Sequence, residues 1–330
     1  MGGKPKPRIS LVVPVLNEAE CLQAFYDRTS EAIRPLGDRY DFEFLFTDNH
    51  SDDGTFNLLR QLARRDPRIR AYRFSRNFGY QKSILTGYRL ASGDAAIQLD
   101  CDLQDPPELI EAFLQKWREG YQVVYGVRRQ RREGWSIQVA RRAFYRLIDL
   151  LSEDRLPHDA GDFRLVDRRI LDELAKIRDH DPYLRGTIAA LGFNQIGIVY
   201  DRSERAGGQS KFRFRQLVRL AADGIFNHSI IPLRVATYVG LSISAASVLA
   251  IGGYLVARLY YGSGWPPGFA TLAILILLSL GLMAMFLGII GEYLGRIYQQ
   301  LKLNPLTIIE DSINPAESAE AAPAITSTAA

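Results

Sequence analysis

Along the first third of the chain, short continuous apolar runs alternate with stretches whose apolar residues recur every three or four positions. Ile9 to Val15 (I-S-L-V-V-P-V) is the first such run. It predicts a buried parallel strand, because a strand covered on both faces needs no polar alternation. The run breaks at L-N-E, and Leu22, Phe25, Tyr26 and Ile33 then keep helical spacing. Phe42 to Thr47 predicts a second strand ending at Asp48. A helix through Phe56, Leu59, Leu62 and Ala63, a strand at Ile69 to Phe74 and a helix from about Gln81 to Ala91 follow. A fourth strand starts at Ala95 and runs into L-D-C-D-L-Q-D-P-P. Pro106 and Pro107 stop it and open a helix from Glu108 to Arg118, since proline is tolerated in a first helical turn. Val123 to Gly126 predicts a fifth strand. Strand and helix alternating in this way mean a parallel sheet with helices on both faces, which binds ligands beyond the carboxyl ends of its strands. Asn17, Glu18, Asp48 and Asp100 all fall at those ends.

The pattern changes in the last third. Val235 to Ala257 and Phe269 to Gly291 contain no charged residue, and each exceeds the roughly 20 residues a bilayer requires. A buried core helix is the alternative, disfavoured by two such stretches in succession. Basic residues flank the pair at Arg213 to Arg234 and at Arg296 and Lys302, which places both flanks in the cytoplasm and the short connector outside. Phe212 to Asn227 interleaves Arg213, Arg215 and Arg219 with Phe212, Leu217, Leu220 and Phe226, the pattern of a basic helix lying on a membrane surface. Gly291 and Gly295 form a G-x-x-x-G, a helix-packing signal that leaves a homo-oligomer open. The start, M-G-G-K-P-K-P-R, lacks the apolar core of a signal peptide, so the chemistry is expected on the cytoplasmic side. The tail after about Asn314, rich in Ala, Ser, Thr and Pro, is expected to be disordered.

Composition adds little. The net charge of +4 hides a crowd of arginines at Arg128, Arg129, Arg131, Arg132, Arg141, Arg142 and Arg146. Such a run is a solvated face, or it meets a membrane surface or substrate phosphates. No recognition helix or aromatic-interleaved motif accompanies it, so nucleic acid ranks last as a partner. Cys21 and Cys101 give neither a disulfide framework nor metal-ligand spacing, and fit a reducing compartment.

The chemistry converges on Asp100 and Asp102. On a strand continuing that far they would emerge on one face, and two such carboxylates repel unless a cation joins them. Mg²⁺ or Mn²⁺ held by one or two carboxylates plus phosphate oxygens is the usual arrangement, with a solvated acidic loop as the bland alternative. No G-x-G-x-x-G follows the first strand and no G-x-x-x-x-G-K-[ST] occurs, so dinucleotide and P-loop binding are unsupported. Asp48 offers acceptors to a base or ribose. Asn17 and Asp53 have a second reading as caps of the first and second helices.

V-V-P-V-L-N-E, the D-N-H-S-D-D-G-T loop, R-N-F-G at Arg76 to Gly79 and L-D-C-D-L-Q-D-P-P together resemble the inverting family 2 glycosyltransferases. More narrowly they resemble the polyprenyl-phosphate branch, which includes dolichyl-phosphate mannose synthases and bactoprenol glucosyltransferases. The resemblance implies an α/β, GT-A (Rossmann-like) catalytic domain over residues 1–211, an interface helix over 212–229 and a two-helix transmembrane hairpin within 230–295. A cytosolic segment, 296–330, would follow. It implies a nucleotide sugar donor, a polyprenyl phosphate lipid acceptor and an inner-membrane location. UDP-glucose and undecaprenyl phosphate are the expected pair, with GDP-mannose as an alternative donor and a non-catalytic nucleotide-sugar sensor as the rival class. Asp102 and Gln104 would hold the metal. Nucleotide contacts would come from Pro14, Asn17, Glu18, Asp48, Gly79 and Asp100, joined by Arg205 and Lys211 of the R-A-G-G-Q-S-K-F loop. A-G-D-F-R-L places Asp162 near the reacting centre, and Asp162, Asp102 and Arg128 make the catalytic set. The family's acidic loop often reads D-D-G-S, whereas Asn49 and His50 follow Asp48 here, so Asp48 is the expected base contact. The missing Q-x-x-R-W string disfavours polymer synthesis.

Overall fold

The computed structural model describes residues 5–129, 160–177, 179, 182–201, 231–261, 268–301 and 305–315. The chain divides into two units. The first takes Met1–Arg141, Asp154–Ser210 and Asn304–Ala330, and the second takes Arg142–Glu153 and Lys211–Leu303.

In the first unit the predicted alternation is present. It runs β1 (Arg8–Val15), α1 (Ala19–Ile33), β2 (Asp41–Asp48), α2 (Thr55–Arg65), β3 (Ile69–Phe74), α3 (Tyr80–Leu90), β4 (Ala95–Gln98), α4 (Leu109–Arg118) and β5 (Val123–Arg128). Beyond residue 159 come β6 (Ala160–Asp167), α5 (Arg168–Lys176), α6 (Leu184–Ala190) and β7 (Gln195–Tyr200), and near the C-terminus β8 (Ile309–Ile313). The eight strands form one sheet in the order β7-β5-β6-β4-β1-β2-β3-β8.

The sheet is covered on both faces, as a continuous apolar strand requires. Ile9, Leu11, Val13 and Val15 of β1 pack with Phe42, Phe44 and Phe46 of β2 in one core, while Val12 and Leu45 belong to the other. Each fully buried side chain of this size contributes about 1.5–3 kcal/mol. On the second face α3 lies close to β1: a Cβ on Gly87 would come within 2.4 Å of Val12 Cγ1. Any larger residue there would push the helix off the sheet.

Three expectations need correction. The sheet is mixed, because β6 runs antiparallel between β4 and β5, and β8 runs antiparallel along β3. Asp162 and Arg164 break the apolar run of β6, which hid it from periodicity. Second, β4 stops at Gln98, so strand alternation does not put Asp100 and Asp102 on one face. A turn with Leu103 at φ 57° does the positioning instead. Third, Asn17 does not cap α1, whereas Asp53 meets the start of α2 as expected and that of α1 besides. The Asn17 Oδ1 accepts from Asp52 N–H at 2.8 Å, tying the first two loops together. Asp53 accepts from Ala19 N–H and from Thr55 N–H, each at 3.0 Å, and so serves both helix starts.

The second unit contains α7 (Ile231–Tyr261) and α8 (Phe269–Leu301). Among the described residues one helix has a stretch long and apolar enough to cross a membrane, Leu278–Gly295 of α8, and none of that stretch is buried.

Candidate active site

At the carboxyl ends of β1, β2 and β4 the chain turns sharply. Three of the four non-glycine residues with positive φ among those described lie in these turns: Asn17, His50 and Leu103. Such backbone is disfavoured for branched and bulky side chains and is held only where the surroundings over-determine it. A cavity of about 300 Å³ opens between the turns, lined by Pro14, Glu18, Asn49, Gly79, Tyr80, Asp100 and Asp102 among others. A wider cleft of about 1010 Å³ lies at the opposite ends of the strands, beside Arg34, Glu43 and Arg70. Its Glu43 is already engaged by Ser10, Ser92 and Arg70, and ligands of such sheets bind at the other edge.

Asp48 is fully buried at the end of β2. Its Oδ1 accepts from the Ser51 N–H at 3.1 Å and from the Ser51 hydroxyl, while its Oδ2 has no hydrogen-bond partner. Arg73 Nη1 stands 3.5 Å from that oxygen. Burial pushes the Asp48 carboxyl up, and the Ser51 bonds and the Arg73 charge offset only part of the rise. Asp48 itself does not line the cavity, whereas its neighbour Asn49 does, with its Oδ1 fixed by the Phe78 N–H at 3.0 Å.

The acidic turn after β4 brings carboxylates together. Tyr80 O–H and Gln98 Nε2 donate to Asp100 Oδ1 at 2.5 and 2.9 Å. Burial pushes Asp100 up to about 6; the Tyr80 bond opposes this, and the charges of Asp105, Asp102 and Asp162 add to it. Asp102 Oδ1 accepts from the Gln104 N–H at 3.1 Å, and Gln104 is itself buried. Mutually destabilising carboxylates at a cavity fit a hard dication, which would relieve them and bridge to phosphate oxygens.

On the other side of this turn Asp105, 1% exposed, accepts from Tyr200 O–H and from Arg128 Nη2, the latter at 3.3 Å. Arg128 also lies against Gly161, where a Cβ would meet Nη2 at 3.2 Å. Asp162 follows on β6. Its Oδ1 is 3.1 Å from Arg185 Nε, and its Oδ2 accepts from Gln81 Nε2 at 3.4 Å. Arg164, two residues further along β6, donates to the Gly161 carbonyl at 2.9 Å.

The fold thus brings Pro14, Glu18, Gly79, Asp100 and Asp102 to one cavity, with Gln104, Arg128 and Asp162 around the acidic turn. Asn17 lies outside the cavity lining, as a brace between loops. Arg205 and Lys211, the interface helix over 212–229 and the arginines from Arg131 to Arg146 lie outside the described residues. Sequence reasoning missed Tyr80, Asn49 and Arg185. Tyr80 directly extends the R-N-F-G string, a usable signal, while nothing in the sequence ties Arg185 to Asp162.

Sheet and acidic turn are those of an α/β transferase of the GT-A type. The chain matches the model of glycosyl transferase family 2 over residues 10–175 and belongs to that family. It is 38% identical over 307 residues to the uncharacterized glycosyltransferase YkcC of Bacillus subtilis, spanning 92% of this chain and 93% of that one. It is 35% identical over 308 residues to the bactoprenol glucosyl transferase of Shigella phage SfII, spanning 92% and 98%. A prophage bactoprenol glucosyl transferase homolog of Escherichia coli is 33% identical over 304 residues, spanning 92% and 98%.

Proposed function

We propose that the protein transfers glucose from UDP-glucose to undecaprenyl phosphate, with inversion, at the cytoplasmic face of the inner membrane. The observation that carries this reading is the gathering of the carboxylates Asp100, Asp102, Asp105 and Asp162 around one turn, with Asp100 and Asp102 lining the cavity. Burial first, and then the charges of the other three, raise the Asp100 carboxyl. The relatives named bactoprenol glucosyl transferase supply the sugar and the lipid class.

In this reading Pro14, Glu18, Asn49 and Gly79 shape the nucleotide pocket, and Asp48, buried behind Asn49, braces its wall through Ser51 and Arg73. An oxygen of the acceptor phosphate attacks the anomeric carbon opposite the diphosphate. The new carbon–oxygen bond forms as the old one breaks, and its electron pair leaves on the diphosphate. Mg²⁺ or Mn²⁺ held by Asp102 and Gln104 would neutralise the negative charge of that leaving group. Arg205 and Lys211, from outside the described residues, are assigned to the same charge. A phosphate monoester has a second pKa of about 6, so the nucleophile arrives mostly ionised and needs little help from a base. Asp162 therefore positions rather than deprotonates: it orients Arg185, 3.1 Å away, to receive the acceptor phosphate. Arg128, held by Asp105, extends the same cationic wall.

A lipid acceptor gives a reason for a catalytic fold joined to long apolar helices. We assign α7 and α8 as a transmembrane hairpin, spanning about 235–257 and 269–291, with both flanks cytoplasmic. The unburied apolar stretch Leu278–Gly295 supports the second span.

Incubating the purified protein with undecaprenyl phosphate, Mn²⁺ and a panel of radiolabelled nucleotide sugars tests the reading. Label from UDP-glucose is expected in the lipid. Transfer from GDP-mannose alone would replace the sugar, and transfer from no donor would favour a non-catalytic sensor.

A further inference from the structure

The chain has two cysteines, separated by 79 intervening residues, and the fold brings them together. Cys101 is the middle residue of D-C-D, buried between Asp100 and Asp102; Cys21 is half-buried in the first turn of α1. Their sulfurs are 4.0 Å apart, and the Cys21 thiol donates to Glu18 Oε2 at 2.8 Å. One ligand atom from each of Glu18, Cys21 and Cys101 falls within 4.8 Å of the others. Tetrahedral zinc with Zn–S bonds of about 2.3 Å sets its sulfur ligands roughly 3.8 Å apart, so the observed spacing needs almost no adjustment.

We propose that Glu18, Cys21 and Cys101 form a second cation site, selective for thiophilic metals such as Zn²⁺ and Cd²⁺, whose occupation blocks the donor cavity. Two sulfurs and one carboxylate oxygen make a soft, three-ligand set, unlike the all-oxygen environment of Asp102 and Gln104 that suits Mg²⁺ or Mn²⁺. Binding releases the two thiol protons to solvent and leaves a fourth position for water. Glu18 and Cys101 both line the cavity beside Asp100 and Asp102. A thiophilic ion there occupies Glu18, pins Cys101 between the two aspartates and sets a second dication against the first. The exclusion of donor rests on the assignment of this cavity to the nucleotide sugar. The binding of metal does not.

The test uses the purified full-length protein in a reductant that prevents a disulfide. Cd²⁺ is titrated while the ultraviolet thiolate-to-metal charge-transfer band is followed. One equivalent with the intensity of two thiolates is expected. Cys21→Ser should keep one thiolate's intensity and weaken affinity by at least about tenfold, since one of three ligands is gone. Cys101→Ala should show the same loss. In parallel, UDP-glucose binding in excess Mg²⁺ is measured with increasing Zn²⁺. Donor affinity of the wild type should fall competitively, while Cys21→Ser binds donor normally and resists Zn²⁺ by the same factor. A band unchanged in Cys21→Ser overturns the site, and undiminished donor binding at saturating Zn²⁺ overturns the block. A two-thiolate band in a protein that transfers no sugar supports the metal site and counts against the proposed function alone.

Discussion

Asp102 in the acidic turn and Asp162 on β6 both act on Asp100 and answer to different experiments. Asp102, whose Oδ1 accepts from the Gln104 N–H, is the carboxylate we assign to the metal. Asp102→Asn should abolish transfer and weaken Mn²⁺-dependent nucleotide binding without altering the melting temperature, and near-normal turnover would sink the assignment. Asp162 pairs with Arg185. If it positions that arginine, Asp162→Asn should be slowed by a factor that stays nearly constant from about pH 6 to 8.5, and Arg185→Ala should match it. Recovery of the Asp162 variant at the alkaline end, where the acceptor is fully ionised, would instead make it a base. Away from the site, burial alone would raise the Glu43 carboxyl. Hydrogen bonds from Ser10, Ser92 and Arg70, with the Arg70 charge, hold it below its ordinary value. A depressed carboxyl stabilises the fold above its unfolded pKa of about 4.3 and loses that contribution as pH falls through the folded value. Glu43→Gln should therefore cost about 3–5 kcal/mol at pH 7, because Arg70 stays buried without its counter-charge. In denaturant melts the gap from wild type should close below about pH 4.

Among the elements, β8 has the widest consequences for its length. It returns from beyond the long helices to pair with β3, and it sets Glu310 2.7 Å from Arg73 Nε and Asp311 2.9 Å from Arg60. Arg73 is also the cation nearest the unpartnered oxygen of Asp48, so this strand braces one wall of the proposed base pocket. Removing residues 308–330 strips the ladder from β3 and exposes an edge that invites aggregation. With each net hydrogen bond worth about 0.5–1.5 kcal/mol, a loss of roughly 2–4 kcal/mol is expected in thermal unfolding. A rise in the donor KM should accompany it. An unchanged melting temperature would mean that β8 adds nothing to the sheet. The segment from 296 onward carries no apolar run long enough to announce a strand, since four of the five β8 residues are exposed. Its partner is seen only once the sheet is assembled.

For the whole molecule, the proposed topology makes residue 263, outside the described residues, accessible from outside the cell. A cysteine placed there by Ser263→Cys, in a background where Cys21 and Cys101 are both serine, should react with an impermeant maleimide from outside intact cells. Reaction only after lysis would reverse the topology and remove the cytoplasmic donor. What the sequence by itself determined follows from local physics. A run apolar on every position predicts a strand covered on both faces, as in β1 and β2, and recurrence at three or four predicts α1 and α2. Carboxylates clustered at a strand exit announce their chemistry because like charges so close need a reason. The tertiary structure alone decided which distant residues meet. Periodicity reports how a side chain faces its own element, whereas strand neighbours are chosen by the burial of the whole sheet. That burial inserted β6 with its polar Asp162 and Arg164, gave Asp162 its partner Arg185, returned β8 to β3, and set Cys21 against Cys101.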